Sequence, residues 1–155
     1  MAAKQACDLH TYSLTQRLAF AYLDQPGALA AHLAELCAAY RLRRDAMLAA
    51  LARDLPAGCR WTRPDGGLFL WVELPAHLDA SDLLRAAVRR DVAFVPGASF
   101  WVGREVRHTL RLNFSNAPAA RIAEGVSRLA EAIAELPGPA PQADQVPCPP
   151  AQAHA

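Results

Sequence analysis

The stretch HTLRLNFSN, residues 108–116, places Leu110, Leu112 and Phe114 on one parity and Thr109, Arg111, Asn113 and Ser115 on the other. A period of two with one apolar and one polar side is the pattern of a strand covered on one face. Arg111 sits between two leucines on the polar side. Two readings of it follow from the strand alone: the guanidinium points into water, or it points into a cleft and holds an anion.

Working outward, the flanking segments build a sheet with helices. After the strand, Pro118 starts an amphipathic helix whose apolar side is Ile122, Val126, Leu129, Ile133 and Leu136. Before it, ASFWVGREVR (98–107) reads as an irregular loop, and VAFVPG (92–97) as a short strand stopped by Pro-Gly. Asp79-Ala-Ser81 opens a helix through about Asp91 with LLRAAV inward. LFLWVEL (68–74) reads as a strand buried on most of both faces, joined through PDGG (64–67) to a strand in CRWTR (59–63). Upstream, a long helix over about 28–53 carries Leu29, Leu33, Leu36, Tyr40, Met47, Leu48 and Leu51 on one side. Its Arg41, Arg43 and Arg44 are read as a solvated face rather than a nucleic-acid patch. TYSLTQRLAFAYL (11–23) is a further helix, broken by DQPG (24–27), with Pro26 suited to the first turn of the next helix. The expected fold is α+β: a small, mostly antiparallel sheet with helices packed on one face, preceded by a long helix.

Composition narrows the partners. The 155 residues are 53% hydrophobic and 20% charged with a formal net charge of +1, a globular balance that suggests neither nucleic acid nor an anionic membrane. No apolar run approaches a membrane span, and the start, MAAKQACDLHT, lacks a signal-peptide layout. Cys7, Cys37, Cys59 and Cys148 form no CxxC pair, so a zinc or redox motif is not expected, and a reduced, cytoplasmic chain is. Of the 16 basic residues only Lys4 is a lysine; the rest are arginine. Beyond Leu136 the chain is proline-rich and almost without large apolar side chains, which reads as a disordered tail.

Five segments in series carry a resemblance: KQACDLHTYSLTQRLAFAYL, YRLRRDAMLAAL, RWTRPDGGLFLWVELP, VAFVPGASF and HTLRLNFSN with RIAEGVSRLAEAI after it. Together, over roughly residues 3–136, they resemble the C-terminal part of class I/II aminotransferases of fold type I, and within these the 2-aminoadipate, LysN-like transaminases. The resemblance implies the small domain of such an enzyme over 28–136. It makes 1–27 a segment at the interdomain and dimer contact, and leaves 137–155 as the tail. In that family an arginine within a TLRL strand grips the α-carboxylate of the amino-acid or 2-oxo-acid substrate, and the matching position here is Arg111. A planar fork of donors suits a carboxylate in a way lysine does not. The aromatic residue of GGLFLW that lines the substrate pocket in the family matches Phe69; a core aromatic of a central strand is the other reading. DLHT (8–11) resembles a stretch that reaches toward the partner subunit of the family's homodimer, which makes Leu9 and His10 possible interface residues.

The family's cofactor is pyridoxal 5'-phosphate, held as a Schiff base with a lysine. Lys4 matches the lysine of the KQ segment that follows the Schiff-base lysine and is a different residue. The resemblance therefore implies a fragment that contributes carboxylate binding, binds no cofactor alone, and lacks activity without a large domain. Its apolar helical surface would then be partly uncovered and drive association. Three other readings stay open: half of a split aminotransferase, a module of a MocR-type regulator, and a non-catalytic module that binds small carboxylates.

Overall fold

The structure, a computed structural model, describes residues 6–7 and 12–138. The expectations about Lys4, Leu9, His10 and the tail beyond 138 lie outside the described residues. Along the chain run α1 (Ser13–Leu23), α2 (Ala28–Asp54), β1 (Arg60–Trp61), β2 (Phe69–Glu73), α3 (Ala80–Val88) and β3 (Val95–Pro96). A 3-10 turn (Gly97–Phe100), β4 (Thr109–Asn113) and α4 (Ala119–Ala134) follow.

The strands form one sheet in the order β1-β2-β4-β3, antiparallel at each pairing. The register sets Leu70 opposite Leu112 and Val72 opposite Leu110. All four are buried, and they share one core with Met47 and Leu51 of α2, Leu83 and Ala87 of α3, and Ile122, Val126 and Leu129 of α4. The expected α+β architecture is the one observed, with the helices on the leucine side of β4.

That arrangement corrects the expectation for β2. Leu70 and Val72 are fully buried, but Phe69 is 41% exposed and Trp71 and Glu73 are half-buried. Helices cover only one side of the sheet, so the alternate residues of β2 look out from the other. An unbroken apolar run hides this, because period-two contrast is what marks an uncovered face.

Local chemistry explains most boundaries. α3 starts where the Asp79 side chain accepts a hydrogen bond from the Ser81 amide at 2.7 Å, an N-cap. It ends before Asp91, whose φ of 58° is left-handed and turns the chain so that the Val92 amide reaches Ala87 O at 3.0 Å. Pro26 lies outside α2, because Gly27 takes φ 78°, a conformation open to glycine and incompatible with a helical turn. β1 is shorter than expected, but Thr62 extends the pairing: its amide donates to Trp71 O at 2.9 Å and its hydroxyl accepts from the Trp71 amide at 3.0 Å.

No residue of α1 is buried, and Leu14, Leu18 and Phe20 stand more than half exposed. In α2 the buried residues, Met47, Ala50 and Leu51, all lie in its C-terminal half. Among the described residues no helix is long and apolar enough to cross a membrane.

Candidate functional site

Alternation along β4 sends Leu110 and Leu112 into the core and Thr109, Arg111 and Asn113 to the helix-free side of the sheet. Arg111 has Trp71 of β2 as its register partner on one flank and Val95 of β3 on the other. Its guanidinium carbon lies 4.1 Å from the centroid of the Phe69 ring and 4.8 Å from that of Phe100. Both distances are within the range in which an aromatic face attracts a cation.

The Arg111 Nε is shielded from solvent and has no hydrogen-bond partner. Among the described residues no carboxylate pairs with this guanidinium. Other arginines on the surface do pair with carboxylates: Arg60 reaches Glu73 at 2.9 Å, Arg128 reaches Glu124 at 2.6 Å, and Arg90, whose Nε is likewise shielded and unpartnered, reaches Glu131 at 2.8 Å. A cation with a shielded donor and no internal counter-ion can take an external anion. Beside it opens a cleft of about 250 Å³ lined by Phe69, Ala93, Phe94, Val95, Arg111 and Asn113. A larger groove of about 590 Å³ runs past Met47, Asp91, Leu112, Ser115 and Arg121, but its cation Arg121 is already paired with Glu124 at 3.4 Å.

Phe100 reaches Arg111 because the 3-10 turn lies tightly on the sheet. A Cβ at position 97 would come within 2.8 Å of the Thr109 carbonyl oxygen, so only glycine fits there. Trp101 Nε1 donates to Thr109 Oγ1 at 3.3 Å and fixes the end of the turn. Trp71 meets Phe100 edge-on, at 5.7 Å between centroids and 79° between planes, and meets Trp101 at 6.4 Å. Arg104 in turn stacks on Trp101 at 5.4 Å.

At the edge of this face Glu73 is held below its ordinary carboxylate range, first by its hydrogen bond with Arg60 and further by His108, 3.6 Å away. Asp79, at the α3 cap, is lowered mainly by the Ser81 amide. On the covered side, burial pushes the Cys59 thiol up. Among the described residues no group of His, Cys, Asp and Glu could hold a metal ion.

The two residues singled out from the sequence, Arg111 and Phe69, are therefore brought together, and the core-aromatic reading of Phe69 is set aside by its exposure. Phe100 and Trp71 were not anticipated. The signal that could have found Phe100 is Pro-Gly followed within three residues by two adjacent aromatics, in a loop too polar at its far end to be a strand. The described residues include no lysine, so none of them can form a Schiff base with pyridoxal phosphate; Lys4 lies outside them. The described residues do not fit that cofactor.

Known proteins resemble this chain over most of its length. The family model for aminotransferase class I and II matches residues 2–129. The chain is 44% identical over 133 residues to aromatic-amino-acid aminotransferase 1 of Thermococcus litoralis, covering 86% of this chain and 32% of that protein. It is 42% identical over 134 residues to the 2-aminoadipate transaminase of Thermus thermophilus, covering 86% and 33%. Among solved structures it superposes on Thermus thermophilus LysN, an alpha-aminoadipate aminotransferase crystallised with N-(5'-phosphopyridoxyl)-L-leucine. There the TM-score is 0.80 and the identity 43%, over 86% of this chain and 34% of that one. The chain thus spans about a third of the length of the relatives it matches. With most of its length matched by one family model and its sheet and helices superposed on a member, the chain belongs to the class I and II aminotransferases.

Proposed function

We propose that this chain supplies the substrate-carboxylate grip of a pyridoxal-phosphate-dependent aminotransferase, with Arg111 holding the α-carboxylate of an amino acid or 2-oxo acid and Phe69 lining the pocket beside it. One observation carries the reading: on the helix-free face, Arg111 lies 4.1 and 4.8 Å from two ring centroids, has a shielded Nε, and pairs with no carboxylate of the described residues. Two parallel N–H···O bonds to a carboxylate are the interaction such a fork is built for. A strand holds it more rigidly than a loop would.

In the family, the cofactor supplies the electron sink for amino transfer. Its anchoring falls to protein outside the described residues, and the part left to this chain is to bind and orient the carboxylate. Residues 28–136 are read as the small domain, 1–27 as an interdomain and dimer-contact segment, and the whole as cytoplasmic. The exposed Leu14, Leu18, Phe20 and Leu33 support a surface that is covered in the working enzyme by the large domain or a dimer partner. By itself the chain is expected not to transaminate.

The test is a spectrophotometric titration of the purified chain with pyridoxal phosphate and an amino acid, alongside binding of 2-oxoglutarate to the wild type and to Arg111→Ala. The expected result is no protein-bound cofactor band and no 2-oxo-acid product, with 2-oxoglutarate binding abolished in the variant. Cofactor turnover by the chain alone would end the fragment reading. Unchanged 2-oxoglutarate affinity in Arg111→Ala would end the assignment of Arg111.

A further inference from the structure

We propose that Phe100 is a positioning residue: together with Phe69 it clamps the Arg111 guanidinium in one plane, so that its terminal nitrogens meet a carboxylate without first having to be ordered.

Phe100 is not placed there by the core. It is 47% exposed and, like Phe69, is absent from the cluster formed by the sheet and the helices. Its position is set instead by three features of the helix-free face. Gly97 lets the 3-10 turn approach Thr109 more closely than any side chain would permit. The Trp101 Nε1 bond to Thr109 Oγ1 ties down the end of the turn. The Trp71 edge lies against the Phe100 ring. With the turn held in this place, the Phe100 ring lies 4.8 Å from the guanidinium carbon.

The clamp answers a problem that Arg111 would otherwise have. An arginine side chain has large rotamer freedom, and ordering it on binding opposes association. Here no carboxylate of the described residues orders it. With both rings this close, the Nε is shielded and without a partner. A residue from an irregular turn thereby controls the geometry of a residue on a strand.

The carboxylate part of this inference rests on the function proposed above; the clamp itself does not, and the experiment separates the two. The full chain, uniformly labelled with ¹⁵N, is studied by NMR as wild type, Phe100→Leu, Phe100→Tyr and Arg111→Lys, and 2-oxoglutarate is titrated into each. The Arg111 Nε–Hε signal, identified by its absence in Arg111→Lys, is expected upfield under the two rings and slow to exchange with water. Phe100→Leu should lose both properties and bind 2-oxoglutarate roughly tenfold more weakly, the scale of ordering one long side chain. Phe100→Tyr should restore both. β4 amide shifts show whether each variant keeps the sheet, a control that a merely structural role for Phe100 would fail. An unchanged Nε–Hε signal in Phe100→Leu overturns the clamp. A lost signal with unchanged affinity overturns its role in binding. Equal affinity of Arg111→Lys and the wild type overturns the carboxylate reading, and the Nε–Hε signal alone then decides the clamp.

Discussion

The guanidinium carbon of Arg111 stands 4.1 Å from the centroid of the Phe69 ring, although the two residues are not opposite each other in the ladder: Phe69 faces Asn113, and Arg111 faces Trp71. The contact is a diagonal one across the antiparallel pair, within reach only of long or aromatic side chains. Phe69→Ala removes it without opening the core, since the ring is 41% exposed. Unfolding free energy should fall by about 1 kcal/mol or less, the size of an exposed cation–π contact. Binding of 2-oxoglutarate should weaken clearly, and paired denaturation and titration measurements check the separation.

Gly97→Ala should destabilise the chain by about 1–3 kcal/mol, as overpacking does. The added Cβ meets the Thr109 carbonyl oxygen at 2.8 Å, and backbone cannot swing aside as a side chain can. Urea unfolding would show the loss, and the Arg111 side-chain signal should move as the turn lifts. Wild-type stability together with an unmoved Arg111 signal would contradict the tight approach.

Leu110→Ala should cost about 2–5 kcal/mol, because the residue is fully buried between the strands and the helices. Val102, at 97% exposure in the loop after the 3-10 turn, serves as the control. Its alanine variant should lie within about 0.5 kcal/mol of wild type. Thermal or urea unfolding of both ranks them.

Asp79 gives a pH dependence of definite sign. The Ser81 amide bond, with Arg107 contributing, holds its carboxyl below the ordinary value in the folded chain. A lowered folded pKa contributes stability above the unfolded pKa and loses it as pH falls through the folded one. Asp79→Asn keeps an N-cap acceptor but cannot titrate. Between neutral pH and strong acid the wild type should therefore lose more stability than Asp79→Asn. Parallel slopes would show that the cap bond does not depend on charge.

The uncovered side of α1 and of the N-terminal half of α2 should make the isolated chain self-associate. Leu18→Glu with Phe20→Glu, both at exposed positions, should shift sedimentation toward monomer without changing the unfolding midpoint of the core. A wild-type chain that stays monomeric at high concentration would contradict this.

Much of the architecture is legible in particular residues. Ile122, Val126, Leu129 and Ile133 announce α4 by their spacing, and Asp79-Ala-Ser81 announces the α3 cap; both appear as expected. Gly27 and Asp91 displace the ends of α2 and α3, because a left-handed residue overrides the pattern beside it. Leu68 to Leu74 offered no contrast between faces, so the exposure of Phe69 and Trp71 could not be read there. Arg111 and Phe69 were singled out by the resemblance of TLRL and GGLFLW to a family pattern, while Phe100, though inside VAFVPGASF, was given no role.

By itself the sequence determined the element types, the α+β layout and the side of β4 on which Arg111 falls, because alternation and helical spacing are local and survive any arrangement of the elements. Whether that side is open, and what stands on it, was decided only by the tertiary structure. The helices gather on the leucine face, Phe69 arrives diagonally from β2, and Phe100 arrives from a turn eleven residues upstream because Gly97 can lie against Thr109. A cation's neighbours across strands and turns depend on register and close approach, and neither has a period along the chain.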